Sequence, residues 1–250
     1  MDKLTELADN LGQYFELAMV FIRKLLSLDL TVAQVKELIE VKEHPFWVAF
    51  GEATKILVAP PIVSDDTLKQ IALWRKIYAE EGIGLPSDEE LLKLIPMRQV
   101  GFNWLVIVPK GMTVNQAWAM AKKRFKCWKY TNSDLESVLS ESERGETKAI
   151  SITWFRDRVE ADKEMKNLSA NDLEGKSVKG ITLLQRILLE VKYFTETGKH
   201  LDLEDWTLCS GSRFADGRVP GASWFDGEFC IFWTGLDDRL SDLRSRVVVG

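Results

Sequence analysis

The chain has 250 residues, 46% of them hydrophobic and 28% charged, with a formal net charge of −5. That length suffices for one large domain or two small ones, with a core that needs no covalent staples. The acidic balance excludes the global basic field of a nucleic-acid-binding protein, so no nucleic-acid partner is expected.

The opening MDKLTELADN lacks a basic stretch leading into an apolar run, so no secretory signal is read there. The run from Phe15 to Leu30 is broken by Glu16, Arg23, Lys24 and Asp29, too short and too charged for a transmembrane segment. A cytoplasmic product is expected, with surface display left open. Residues 1–96 read as a helical N-terminal region. Phe15, Met19, Ile22 and Leu26 recur at three- and four-residue spacing. Thr31 with Gln34 forms a capping box ahead of Val35, Leu38 and Ile39. Pro45, Pro60 and Pro61 punctuate the stretch after that helix. Ser64 then precedes a helix with acids in its first turn, an apolar stripe at Leu68, Ile71, Ala72 and Ile77, and a stop at Gly82. Ser87 with Glu90 boxes a short helix carrying Leu91, Leu92 and Ile95.

The pattern changes near Pro96. FNWLVIVP (102–109) reads as a strand, and Thr113 with Gln116 caps a helix bearing Val114, Trp118, Ala121 and Phe125. Ser133 with Glu136 opens a short element, KAISITWF (148–155) reads as a second strand, and a charged loop comes next. Thr182 and Gln185 box the clearest helix, whose apolar face is Leu184, Ile187, Leu188, Val191 and Phe194, with Gly198 as a left-handed C-cap. Beyond it lie short strands: WTLCS (206–210), GASWF (221–225), EFCIFWT (228–234) and a closing LRSRVVV (243–249). Alternation puts Phe229, Ile231 and Trp233 on one face of the third, and Cys230, Phe232 and Thr234 on the other.

Three far-apart cysteines, Cys127, Cys209 and Cys230, make no disulfide framework and suit a reducing compartment. Only His44 and His200 are present, so a His/Cys zinc site is not expected, and neither cofactor nor metal is implied. GSRFADG lacks a following Lys-Ser/Thr and opens no helix, so it is no phosphate cradle. Asp157, Glu160 and Asp162 read as a solvated loop, and LDLED (201–205) as an acidic turn rather than a calcium site. Cys209 as a nucleophile with His200 as its base stays open. From Phe214 to Leu240, aromatic residues interleave with Arg, Asp, Ser, Thr and Gly, which is the composition of an interaction face. Six aromatics buried as plain core would fit as well.

GITLLQRILLEVKYFTETGKHLD, then TLCSGSRFADGRVPGASW, then Trp233 and LRSRVVV, resembles a C-terminal module whose frame reads CSGSR–DG–VP–W–W–LRSR. The module is similar to the variable proteins of diversity-generating retroelements. GFNWLVIVPKGMT (101–113) and SITWFRDRVEADKEMKNLSA (151–170) also resemble parts of it. The resemblance implies an α+β, C-type-lectin-like domain over residues 97–250, with two core helices, a small antiparallel sheet and a variable face within 207–246. It implies a scaffold of Cys209, Ser210, Gly211, Ser212, Arg213, Asp216, Gly217, Val219, Pro220, Trp224, Trp233, Leu243, Arg244, Ser245 and Arg246. Arg213, Arg244 or Arg246 is expected to be held by buried carbonyls or by carboxylates such as Asp216, and Trp224 and Trp233 to form a floor. Ligand-facing, rewritten positions would be Phe214, Ala215, Arg218, Gly221, Ser223, Phe225, Asp226, Phe229, Phe232, Thr234, Leu236, Asp238 and Leu240. The implied activity is non-enzymatic binding of a macromolecular partner, a protein, with residues 1–96 packing on the domain, tethering it or joining copies into a homo-oligomer. Two other readings stand beside it: an assembly module with an aromatic C-terminal interface, and an enzyme of a related formylglycine-generating-type fold using Cys209 or Cys230.

Overall fold

The computed structural model describes residues 64–142 and 148–250, within a unit that begins at Val63. The expectations for residues 1–63, including the Phe15–Leu26 stripe and the box at Thr31, lie outside the described residues. The described chain is α+β, with six helices and three sheets among these residues.

Helix α1 (Asp65–Ala79) starts where the Ser64 hydroxyl accepts the Thr67 N–H. Its buried face is Thr67, Gln70, Ile71, Trp74, Ile77 and Tyr78, whereas Leu68 and Ala72 of the expected stripe are exposed. The next strand, β1 (Phe102–Val108), explains the difference. Among the described residues it pairs with only one strand, β4 (Ser151–Arg156), and none of them pairs by backbone with its other edge. Side chains at three successive turns of α1 occupy that edge. Gln70 bonds both Asn103 O (2.8 Å) and Leu105 N (2.7 Å), Trp74 Nε1 donates to Leu105 O (2.8 Å) and Tyr78 Oη to Ile107 O (2.5 Å). A buried strand edge must find such partners, and here polar groups on a helix supply them. Helix α1, grouped by the sequence with residues 1–96, is thus bonded directly to the strand that opens the next region. Helix α2 (Asp88–Leu94) comes between them, boxed by Ser87 and Glu90.

Helix α3 (Val114–Arg124) carries the expected Thr113/Gln116 box. Strand β2 (Cys127–Lys129) comes after it, then helix α4 (Leu135–Val138), capped by Asp134 rather than Ser133, and β3 (Leu139–Ser142). The stretch expected as a charged loop contains helix α5 (Ala170–Gly175), boxed by Ser169 and Asp172. Helix α6 (Leu183–Thr197) is capped by Thr182 and ends at Gly198 with φ of 69°. Ten consecutive residues of α6, Leu183 to Lys192, are buried, so it is enclosed on all sides and not on one apolar face alone.

Strands β5 (Trp206–Leu208), β6 (Ser212–Phe214), β7 (Val219–Phe225), β8 (Glu228–Thr234) and β9 (Leu243–Ser245) complete the described elements. The largest sheet has the order β2-β8-β7-β5-β9. It is mixed rather than antiparallel, because β2 joins β8, and β9 joins β5, in parallel. The closing strand is also shorter than expected: after Ser245 only Val247 and Val249 make single bridges, to Gly180 and Trp154. Strands β7 and β8 meet at the two-residue turn Asp226-Gly227, where both φ are positive (49° and 77°), as the twist of a tight hairpin requires.

Candidate functional site

The five-stranded sheet has two unlike faces. Thr207, Ala222, Phe229 and Ile231 point into the main core against α3 and α6. Beneath this face lies a closed charge network. Arg186 Nη1 donates to Glu190 Oε2 (2.7 Å) and Nε to Asp202 Oδ2 (2.9 Å). Arg246 donates to Asp202 Oδ1 (2.5 Å) and to the carbonyls of Arg158 and Val159 (2.9 and 2.7 Å). Burial by itself would lower the Arg186 pKa, but Asp202 and Glu190 outweigh it and raise it. Glu190 Oε1 also meets His200 Nδ1 at 2.9 Å, and the His200 ring lies flat between Phe194 and Trp224. The Trp224 N–H donates to Asp202 O (3.0 Å), which ties the end of β7 to this network.

The opposite face is only partly covered. Strand register places Trp128 beside Cys230 and Ser223, Phe232 beside Gly221, and Phe225 beside Glu228. Paired residues share a face. Trp206 reaches the Phe232 ring at 4.2 Å, and Phe232 lies over Gly221 so closely that a Cβ there would sit 2.3 Å from the ring. Helix α5 covers one end, where Ala170 and Leu173 pack on Leu208, Val219 and Leu243. The other end is open: Phe225 is 66% and Trp128 49% exposed. Leu236 and Leu240, also exposed, extend the apolar area along the loop after β8, which Asn171 of α5 holds through Leu236 O and Asp237. These exposed rings make the outer face the candidate interaction surface.

The expected ligand-facing residues divide. Ala215, Phe225, Asp226, Leu236, Asp238 and Leu240 are exposed, and Arg218 and Phe232 are partly so. Phe214 and Phe229 are fully buried, Phe214 against Tyr130 and Phe229 among Trp118, Phe125 and the Arg186 guanidinium. They are core, and the expectation for them is corrected. Gly221, Ser223 and Thr234 are buried beneath their neighbours on the outer face. On the scaffold side, Cys209, Gly211, Ser212, Val219, Pro220, Leu243, Ser245 and Arg246 are buried, and Ser210, Arg213, Trp224 and Arg244 partly so. Asp216 and Gly217 are exposed at their turn. Trp233 is corrected: it is no floor but 45% exposed, with the Arg218 guanidinium 3.9 Å from its ring centroid. Asp216 holds Arg218 (2.8 Å) and none of the frame arginines. Arg213 is held by the carbonyls of Ser210 and Ser212, and Arg244 by Asp205.

Comparison with protein-family models, with curated proteins and with solved structures finds no match. The site is therefore read from its own chemistry. Burial pushes the Cys209 thiol up to about 12, which keeps it neutral and unreactive, and its Sγ bonds only Thr207 O. Burial likewise raises Cys127 to about 12 and raises Cys230. His200 is engaged by Glu190 and by the rings of Phe125, Phe194 and Trp224, and does not bond Cys209. Among the described residues no group of three or more His, Cys, Asp and Glu could hold a metal ion, and no helix is long and apolar enough to cross a membrane. A cleft of about 460 Å³ lies beside the frame residues Ser210 to Arg213, of which Ser212 Oγ accepts the Leu183 N–H and Arg213 is bonded as above. Sequence reasoning missed Trp128 and Trp206 as members of the outer face. Trp128 sits on a three-residue strand whose only signal is its pairing with β8, about 100 residues later.

Proposed function

We propose that this chain is a non-enzymatic binding protein of the kind diversified by retroelements, with a C-type-lectin-type fold and a partner-binding surface on the outer face of its five-stranded sheet. One observation carries the reading. The stretch 207–246 alternates buried frame positions, such as Cys209, Pro220 and Arg246, with exposed positions, such as Ala215, Phe225, Asp226, Leu236 and Leu240. A frame whose members are buried or bonded to backbone holds its shape while the residues between them change. The exposed set is aromatic, aliphatic and acidic, and it suits a protein partner. The packing of α3 and α6 beneath the sheet, and the return of Val249 to bridge Trp154, fit the lectin-type arrangement.

Sequencing the DNA around the gene tests this. A reverse transcriptase gene and a near-copy of codons 207–246, mismatched at adenines, are expected. Mismatches falling on the codons of buried residues such as Phe229, or no such copy at all, would refute it.

A further inference from the structure

The exposed aromatic face is bordered by carboxylates that make no ion pair among the described residues. Glu228 shares the face directly, opposite Phe225, and Asp226 occupies the turn between them. Among the described residues neither carboxylate makes an ion pair. Lys126 lies next to this edge, since its carbonyl accepts the Phe229 N–H, yet its ammonium bonds neither. At the far side of the face, the loop GLDDRLSD (235–242) adds Asp237, Asp238 and Asp242 around Leu236 and Leu240. Its one cation, Arg239, is bound to Asp172 of α5 through Nε (2.7 Å) and Nη2 (2.8 Å). Asp237 receives only the Asn171 amide, and Asp238 caps the Gly235 N–H. The segment from Asp226 to Asp242 thus carries five carboxylates and one neutralised guanidinium, with Asp226 and Glu228 at the Phe225 end of the face and the other three on the loop at its far end.

This arrangement selects among partners. A partner that covers these aromatics desolvates carboxylates at their rim, which costs free energy unless it brings matching cations. The exposed ring faces of Trp128 and Phe225 are themselves attractive to guanidinium and ammonium groups. Nucleic acid and anionic lipid would be repelled by the same rim.

Resting on the binding reading above, we propose that the partner at this face is a basic protein surface, in which Arg or Lys side chains alternate with apolar ones. A polyanion or an acidic protein would meet these carboxylates as like charge.

The test uses the full chain and a synthetic, end-capped twelve-residue peptide of Arg, Lys, Leu and Trp, titrated by calorimetry. Controls are the same peptide with Glu replacing every Arg and Lys, a duplex DNA, and phosphatidylserine vesicles. Binding of the basic peptide alone is expected. The double variant Asp226→Asn/Glu228→Gln should weaken it about fivefold to tenfold, as the loss of two rim ion pairs implies, and added salt should weaken it further. The variants Trp128→Ser and Phe225→Ser should each weaken it about tenfold or more. If the acidic peptide binds as well, or if the carboxylate variants change nothing while the aromatic ones abolish binding, the cationic assignment falls and the face remains the site. If the basic peptide binds and neither aromatic variant matters, the binding reading of this face falls as well. No binding of the basic peptide, or preferential binding of DNA or vesicles, overturns the assignment outright.

Discussion

Substituting Asp202 by Asn probes the point on which the frame closes. Three donors converge on its carboxylate: Arg186 Nε, Thr207 Oγ1 and Arg246 Nη2, at 2.9, 2.5 and 2.5 Å. The ionic side chains involved, Arg186, Glu190, Asp202 and Arg246, are at most 2% exposed. With Asp202 ionised, two guanidiniums face two carboxylates. With Asn there, Glu190 still pairs with Arg186, Arg246 is left with no carboxylate, and the amide brings a donor of its own into the cluster. Breaking a buried pair from one side costs about 3–5 kcal/mol, because the remaining charge is left without compensation. Glu89, paired with Lys93 on the surface at 2.8 Å, is the control, with an expected loss of about 1 kcal/mol or less on substitution by Gln. Urea unfolding followed by tryptophan fluorescence reads both. For a slope near about 2 kcal/mol per molar, the Asp202→Asn midpoint should fall by about 2 M and the control by about 0.5 M or less. In the double variant Asp202→Asn/Arg246→Met a single Arg186–Glu190 pair remains, so it should lose about 1–3 kcal/mol less than the sum of the two single changes. A midpoint for Asp202→Asn within error of the control would refute the network as a structural element.

The two faces of the sheet set further expectations. Phe229→Ala should cost about 3–5 kcal/mol and Phe225→Ala within about 0.5 kcal/mol, although only four residues separate them; chemical denaturation decides. Gly221→Ala should displace the Phe232 ring, whose atoms lie 2.3 Å from the added carbon, and alter Trp206 fluorescence, because the two rings touch. The folded protein should leave Cys209 unmodified by a thiol reagent at about pH 8 and release it only on unfolding, since burial holds that thiol near about 12; fast reaction would revive the enzyme reading. The Arg158 side chain, bonded to Glu164 at 2.6 and 3.0 Å, lowers the Glu164 pKa to about 2. That contribution is present above the unfolded carboxyl value of about 4.3 and is lost as pH falls through about 2. Glu164→Gln should therefore flatten this part of the acid limb of a stability-versus-pH curve.

Local rules carried much of the fold. The boxes at Ser87, Thr113 and Thr182 and the Gly198 C-cap appear where residue type dictates, since capping needs only neighbours three or four positions apart. What escaped was set by distant partners. The buried stripe of α1 runs through Gln70, Trp74 and Tyr78, each carrying a polar group, because it serves the open edge of β1. Helix α6 reads as one-sided from its apolar face alone; Arg186, Glu190 and Lys192 are buried with it, paired within the helix at i,i+4 spacing, and the fold adds Asp202 as a second partner of Arg186. At the site, strand alternation separated Phe229 from Phe232 correctly, but which parity faces the core is a tertiary fact. The resemblance took both as contact residues, and helix packing settled Phe229 as core.

The most direct test of the binding face is deep sequencing of codons 207–246 in a population of cells carrying the gene. Variation is expected at the codons of Ala215, Arg218, Phe225, Asp226, Phe232, Leu236, Asp238 and Leu240, with Cys209, Phe214, Pro220, Phe229 and Arg246 unchanged. Variation spread evenly over exposed and buried codons, or none above the background of flanking DNA, would contradict a diversified surface on this face of the sheet.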